Sequence, residues 1–486
     1  MAQPIIALQE GVLREENLRF REPMNFTLGA GEHIALVGTN GSGKTVLIET
    51  LLGQHFLQSG TLGYAFGGER RLVSDNIRYI TFRDAYGSAD AGYYYQQRWN
   101  ASDRESVPTA GELLGRIGAD EAWRDELFGL LGIGPLLGKQ IILLSSGELR
   151  RFQIAKMLLS SPRVLVVENP FIGLDVQTRE LLRALMLRLT RETGLQIVLA
   201  LSAPEDVPDF ITHVYTIDSM TCGPKRTLDE FRAEQDFTAR VSTMRERFGR
   251  EPAGLPAPRG TLPACDEVVS MRDVTIRYGE RVILDRLNWT IRRGEKWTLT
   301  GANGSGKSTL LSLICADNPQ SYAQDIALFG RRRGTGESIW EIKREIGYVS
   351  PEMHRSYVKD IAAVDIVASG FFDSIGLYRT ADDAQRAVCD EWLRAFGIHA
   401  LRDRSFVRLS SGEQRMLLLA RAFVKDPALL ILDEPLHGLD CLNKERARAV
   451  IEAFCQRPGK TLIYVTHYEH ELPGCVDRRM ELTRRR

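Results

Sequence analysis

Two stretches decide how this chain is read: His33-Ile34-Ala35-Leu36-Val37-Gly38-Thr39-Asn40-Gly41-Ser42-Gly43-Lys44-Thr45, and Lys296-Trp297-Thr298-Leu299-Thr300-Gly301-Ala302-Asn303-Gly304-Ser305-Gly306-Lys307-Ser308. Each carries a short apolar run into GxxxxGK[ST] and then into a helix-like segment, VLIETLLG or TLLSLICA. That order of strand, glycine-rich loop and helix lets backbone N–H groups converge on phosphate oxygens, and the helix N-terminus adds its positive end. Side chains would obstruct the approach. Gly38, Asn40, Gly41 and Gly43, with Gly301, Asn303, Gly304 and Gly306, are therefore read as nucleotide-binding loop positions. Lys44 and Lys307 are expected to reach the β and γ phosphates, and the hydroxyls of Thr45 and Ser308, with Thr309 alongside, to lie at the phosphates and Mg2+. A single match could be a chance glycine-rich turn; two in register exclude it.

The repeat continues downstream. Leu144-Ser145-Ser146-Gly147-Glu148 and Leu409-Ser410-Ser411-Gly412-Glu413 each open a helical pattern, and the apolar runs VLVV and LLIL end in Glu168-Asn169-Pro170 and Asp433-Glu434-Pro435. Gly147 to Asn169 is 22 positions, as is Gly412 to Glu434; Asn169 to Ser202 is 33, as is Glu434 to His467. An Asp at a strand end can hold Mg2+ and the adjacent Glu can polarise the attacking water, which assigns Asp433 and Glu434. A strand-end salt bridge is the bland alternative. The 127-residue spacing from Lys307 and the following Pro435 weigh against it.

Composition narrows the class. The 486 residues carry 63 Lys plus Arg against 63 Asp plus Glu, so no global field attracts nucleic acid or an anionic membrane. Seven cysteines lie scattered between Cys222 and Cys475 without a CxxC or metal-like cluster, as expected for buried reduced thiols. The N-terminal sequence lacks a signal-peptide pattern and no apolar run is long enough to span a bilayer, which points to a cytoplasmic protein, at most peripheral on the inner face of the cytoplasmic membrane. Arg331-Arg332-Arg333 and Arg484-Arg485-Arg486 are read as solvated surface charge.

Taken together, the paired glycine loops, the LSSGE motifs, LLILDEP and His467 in YVTH resemble ATP-binding cassette proteins, over nearly the whole chain and twice. The resemblance implies an Mg2+-dependent ATP hydrolase whose two cassettes pair head to tail within the chain, each ATP lying between one glycine-rich loop and the other cassette's signature. Carried onto this sequence, Ser145, Ser146, Gly147 and Glu148 would face the second loop, and Ser410, Ser411, Gly412 and Glu413 the first. It also implies that Tyr278 stacks on adenine and that His467 contacts the γ phosphate, with Glu434 and His467 catalytic. A Tyr near a strand end is otherwise ordinary packing.

The halves differ where chemistry is at stake. Asn169 stands at the position matching Glu434, and Ser202 at that matching His467. Asn cannot accept a proton as a carboxylate can, so the site built on Lys307 is expected to hydrolyse ATP and the first-half site to hold it with little turnover. The family's loop glutamine is not evident: Ile346-Gly347-Tyr348-Val349-Ser350 runs to Pro351, and Gln96 and Gln97 sit in an aromatic segment.

ALFGRRRGTGESIWEIKREIGYVS, ASGFFDSIGLYRT and LHGLD, within Trp289 to Asp440, further resemble a bacterial tandem type linked by name with molybdate transport. That implies an energy-coupling or accessory subunit for molybdate import, with a separate membrane permease as partner. A cytosolic regulator of translation is the alternative, but its relatives carry a long basic linker, whereas Cys222 to Glu267 holds eight basic and eight acidic side chains. A nucleic-acid repair ATPase would need a basic track or zinc modules, and nucleic acid is an unexpected partner. The expected fold is α/β: two tandem P-loop cassettes, residues 1–221 and 267–486, each with an antiparallel β part and a helical part, joined by a linker over 222–266 that is helical and then rich in Pro and Gly.

Overall fold

The computed structural model describes residues 4–67, 72–81, 108–141, 144, 146–171, 174, 176–233, 254–259, 263–279, 281–301, 304–357, 359–466 and 468–483. These form two compact units, one built from described residues up to 233 together with 438–442, the other from residues 254–437 and those from 443 onward.

In the first unit the strand Ile34–Val37 is buried along its length and pairs in parallel with Gln196–Leu201 on one side and His213–Asp218 on the other. Val164–Glu168 and Ile77–Ile80 extend the parallel sheet. Strands buried on both faces need continuous apolar runs, which is why IALV and VLVV lack a polar alternation. A separate antiparallel sheet places Ile6–Leu13 between Met24–Leu28 and Leu57–Tyr64. The helix Lys44–Leu51 follows the central strand, and Leu47 and Ile48 pack with Leu36 and Phe26 in one core.

The second unit repeats this plan. Its parallel sheet runs Ile346–Val349, Leu429–Asp433, Thr461–Val465, Lys296–Gly301, Arg478–Leu482, and its antiparallel sheet is built on Glu267–Tyr278 and Arg281–Arg292. Helices Ala363–Ala368, Asp383–Ala395 and Ser411–Phe423 pack together. Trp392, fully buried, meets Phe423 at 5.2 Å and Phe454 at 6.3 Å between ring centroids. The expected class, two α/β cassettes with antiparallel and helical parts, is the class observed.

The repeat extends to backbone conformations that cost energy. Glu10 and Asp273, 263 positions apart like the two loop lysines, both have positive φ at a β-bulge, and each N–H is taken by an Asn side chain, Asn25 or Asn288, at 3.0 Å. Asn169 and Glu434 share the left-handed region at φ 44° and 49°. Left-handed backbone is unfavourable for a residue with a Cβ, so its recurrence marks a geometry both halves preserve.

One expectation is corrected. Arg333 is not a solvated charge: it is 3% exposed, lies over the Tyr322 ring at 4.6 Å and pairs with Glu337 at 2.5 Å. Arg331 and Arg332 are exposed as expected, and residues 484–486 lie outside the described residues. Cys315, Cys389 and Cys455 are buried free thiols, and among the described residues no cluster of His, Cys, Asp and Glu could hold a metal.

Candidate functional site

Both glycine-rich loops lie at the carboxyl end of a central parallel strand, where ligands bind in open α/β sheets. In the first, a Cβ on Gly38 would fall 2.0 Å from the Ile217 carbonyl oxygen, so only glycine fits. Gly41 and Gly43 have φ of 74° and 113°, and Gly43 caps the helix that Lys44 begins. The loop thereby curls round the lysine. Lys44 Nζ donates to Gly38 O at 2.7 Å and Thr39 O at 2.8 Å, and burial pushes its ammonium down to about 8, against the opposing pull of Glu168. A buried cation held at a low pKa is stabilised by any anion that reaches it.

The second loop is built the same way. Gly301, Gly304 and Gly306 all have positive φ, and Lys307 Nζ donates to Gly301 O at 2.6 Å. Thr45 and Ser308 stand half-buried one residue into their helices, and Thr309 is buried next to Ser308. Asn303 lies outside the described residues. Ser42 Oγ and Ser305 Oγ, matching hydroxyls inside the two loops, are buried without a hydrogen-bond partner among the described residues. Orphaned buried hydroxyls beside a lysine at the start of a helix fit a polyphosphate.

At the end of Leu429–Asp433, Asp433 is buried, and desolvation raises its carboxyl well above the usual range, reinforced by Glu352 and Glu434 and opposed by Lys307 and Arg415. A carboxylate at this strand end is the hard oxygen donor Mg2+ requires, so Asp433, together with the Ser308 hydroxyl, would hold the ion. Glu352 escaped the sequence reading. Val349 pairs with Leu432, so Ser350 stands level with Asp433; Ser350 then caps the helix Pro351–Ser356, accepting from Met353 N at 3.1 Å, and Glu352 falls in its first turn. This is the segment after the strand in which the family's loop glutamine is not evident. Gln96 and Gln97 lie outside the described residues.

Arg415 was also missed. It sits 2% exposed on the signature helix and donates to Asp433 O and Pro435 O at 3.4 Å each, and to Glu434 O. Its neighbour Gln414 donates to Phe406 O at 2.7 Å and Leu409 O at 3.0 Å and meets His354 Nε2 at 3.1 Å. The available signal was polar residues directly after LSSGE on a helix that is otherwise buried.

The signature residues divide. Ser410 and Glu413 form a reciprocal cap on the helix Ser411–Phe423: Ser410 N donates to Glu413 Oε2 at 2.8 Å, and Glu413 N to Ser410 Oγ at 3.4 Å. Ser411 and Gly412 lie in its first turn. Ser146 and Gly147 begin the matching helix Ser146–Leu158, Glu148 pairs with Lys139 at 2.6 Å, and Ser145 lies outside the described residues. Tyr278 ends its strand half-buried, its hydroxyl accepting from Asn318 Nδ2 at 3.0 Å. His467 lies outside the described residues.

The first half closes its corresponding residues on one another. Ser202 N and Oγ both donate to Asn169 Oδ1, at 3.1 and 3.2 Å, and Ser202 Oγ lies 3.1 Å from Asn40 Oδ1. Asn169 N donates to Ala200 O at 2.8 Å, as Glu434 N does to Val465 O at 2.9 Å. The backbones coincide in kind, and the side chains differ in chemistry.

A cavity of about 240 Å3 in the second unit borders the edge strand Ile346–Val349. Lys343, Tyr348, Asp373, Arg421 and Lys425 line it, with Lys425 paired to Asp373 and burial pushing its ammonium down to about 8. None of the sequence-predicted site residues does.

With this geometry in hand, comparison with known proteins settles the class. The family model described as ABC transporter matches residues 22–172 and 284–437. The chain belongs to the ATP-binding cassette family, as a tandem ATP hydrolase with two cassettes. Along 98% of its length it is 33% identical to ABC transporter ATP-binding protein ModF of Escherichia coli K12, covering 96% of that protein. It is 29% identical, over 94% of each chain, to an uncharacterised ABC transporter ATP-binding protein of Schizosaccharomyces pombe. Among solved structures, a chain from a model of ribosome-bound archaeal Pelota and ABCE1 shares the fold, with TM-score 0.55 and 18% identity over 93% of this chain and 72% of that one. Among the described residues no helix is long and apolar enough to cross a membrane.

Proposed function

We propose that this chain is an asymmetric ATPase in which the cassettes, taken as residues 1–221 and 267–486, pair within the chain about two ATP molecules, and that the site on Lys307, Ser308, Asp433 and Glu434 carries the turnover. One observation supports this above the others: Asn169 occupies the backbone conformation of Glu434 but its amide oxygen is engaged by Ser202. At the second site Glu434 accepts a proton from the attacking water as its oxygen bonds to the γ phosphorus and the bond to the β,γ-bridging oxygen breaks, releasing ADP and phosphate. Ser308 and Asp433 would hold Mg2+, which when bound would supply charge neutralisation for the phosphates. Lys307 holds the phosphates in place. At the first site an amide in the carboxylate's place has no proton-accepting capacity, so Lys44 and its loop retain ATP.

The similarity to ModF supports a role beside a molybdate permease, with the turnover site supplying the energy-coupling step. The test is steady-state ATP hydrolysis by the purified chain with membranes containing a molybdate permease and with membranes lacking it. Stimulation several-fold by the permease alone is expected; equal rates in both would remove the transport role and leave the ATPase assignment standing.

A further inference from the structure

Glu434 reaches its place at some conformational cost. Its φ is 49°, and its main chain is pinned by Val465 O on one side and Arg415 on the other. Those contacts fix the backbone, whereas the direction of the carboxylate depends on three further side-chain torsions, an intrinsic freedom of any glutamate. A general base must present one oxygen within hydrogen-bond reach of the water it activates, so that freedom has to be removed.

His437 is placed to remove it. The turn after the strand closes by His437 N donating to Glu434 O at 3.2 Å, which brings residue 437 back over residue 434. His437 Nδ1 then lies 2.7 Å from Glu434 Oε2, with both side chains largely buried, at 11% and 14% exposure. The imidazole edge packs against Tyr468 with ring centroids 6.3 Å apart. A carboxylate only accepts, so Nδ1 carries the hydrogen. This engages Oε2 and fixes the direction in which the carboxylate is presented.

The sequence supplies an independent contrast. His437 and Glu434 are matched, 265 positions earlier, by Ile172 and Asn169. The half lacking the carboxylate also lacks the imidazole, as expected if the two act as a unit and not if His437 only fills space.

We propose that His437 is a positioning residue for Glu434, orienting the carboxylate through Nδ1 and so setting the turnover rate of the second site. The inference rests on the reading of Glu434 as the base.

Hydrolysis by the full chain as a function of ATP concentration tests it with His437→Ala, His437→Asn, His437→Gln and Glu434→Gln. Asn places an N–H where Nδ1 stands, whereas Gln extends its amide to the Nε2 position. His437→Ala is expected to lower kcat about tenfold, the equivalent of one oriented hydrogen bond, with KM for ATP within about twofold. His437→Asn should recover most of the rate and His437→Gln little. In a Glu434→Gln background His437→Ala should change nothing further. Wild-type kcat in His437→Ala, alongside an inactive Glu434→Gln, would overturn the positioning role and spare the base. An active Glu434→Gln would overturn the base assignment itself. If His437→Ala fails to fold, equal rates for His437→Asn and His437→Gln would overturn the proposal.

Discussion

Replacing Arg415 by Met should damage both the stability and the turnover of the second cassette. The guanidinium is 2% exposed and serves the main-chain oxygens of three successive residues, Asp433, Glu434 and Pro435. Hydrogen bonds involving a charged partner contribute about 1.5–3 kcal/mol net, and two of the three are long, so the set is taken as about 3 kcal/mol. Methionine fills much of the volume without a donor, leaving buried carbonyls exposed to the full cost of lost partners. For a unit of this size each kcal/mol moves the melting point by about 2–4 °C, giving a fall of roughly 6–12 °C. The same bonds hold Glu434 in its left-handed conformation. Without them kcat should fall at least tenfold, while KM for ATP changes little because the Lys307 loop is intact. Arg415→Lys should fall between, since one ammonium cannot fork to three oxygens. Differential scanning calorimetry and steady-state ATPase assays read both effects. A variant that melts with the wild type and hydrolyses within twofold of it would refute the idea that Arg415 holds the strand end.

Other expectations follow from the same structure. Lys425 is buried with its ammonium lowered to about 8 by burial, so below pH 8 both folded and unfolded chains are charged and the burial cost is fully present; from pH 8 toward 10.5 the folded chain sheds a proton that the unfolded chain keeps, and stability rises by up to about 3 kcal/mol. Urea unfolding of the wild type against Lys425→Met should show that difference growing with pH over this window, and a flat difference would contradict the cause assigned. Trp392→Ala should cost about 3–5 kcal/mol, because the ring is buried against Phe423 and Phe454; a loss below 1 kcal/mol in the second unit's transition would show that the helical part does not depend on this aromatic cluster.

How much was legible from sequence varied with the kind of signal. The loops, signatures and acidic strand ends were readable because each combines a fixed spacing with residue types the backbone geometry demands, such as Gly38 under the Ile217 carbonyl. The asymmetry at Asn169 was readable by counting alone. Arg415, Gln414 and His354 were not, because their partners are main-chain oxygens or residues tens of positions away that only the packed helices bring together. Arg333 misled for the opposite reason: in sequence it looks like its exposed neighbours, and its partners are Glu337 in the turn that follows and Tyr322 in the short helical segment Pro319–Ala323 that precedes it. Glu352 lay in plain view but off the expected residue type, and it is strand register that levels its helix with Asp433.

One working site and one retaining site are told apart by loading the chain with radiolabelled ATP and Mg2+, removing free nucleotide, and following bound ATP and ADP with time. An asymmetric pair of sites should convert about half the bound ATP to ADP while the rest persists, Glu434→Gln should convert none, and Asn169→Ala should behave as the wild type. Complete conversion of all bound ATP by the wild type, or conversion unchanged by Glu434→Gln, would contradict the asymmetry.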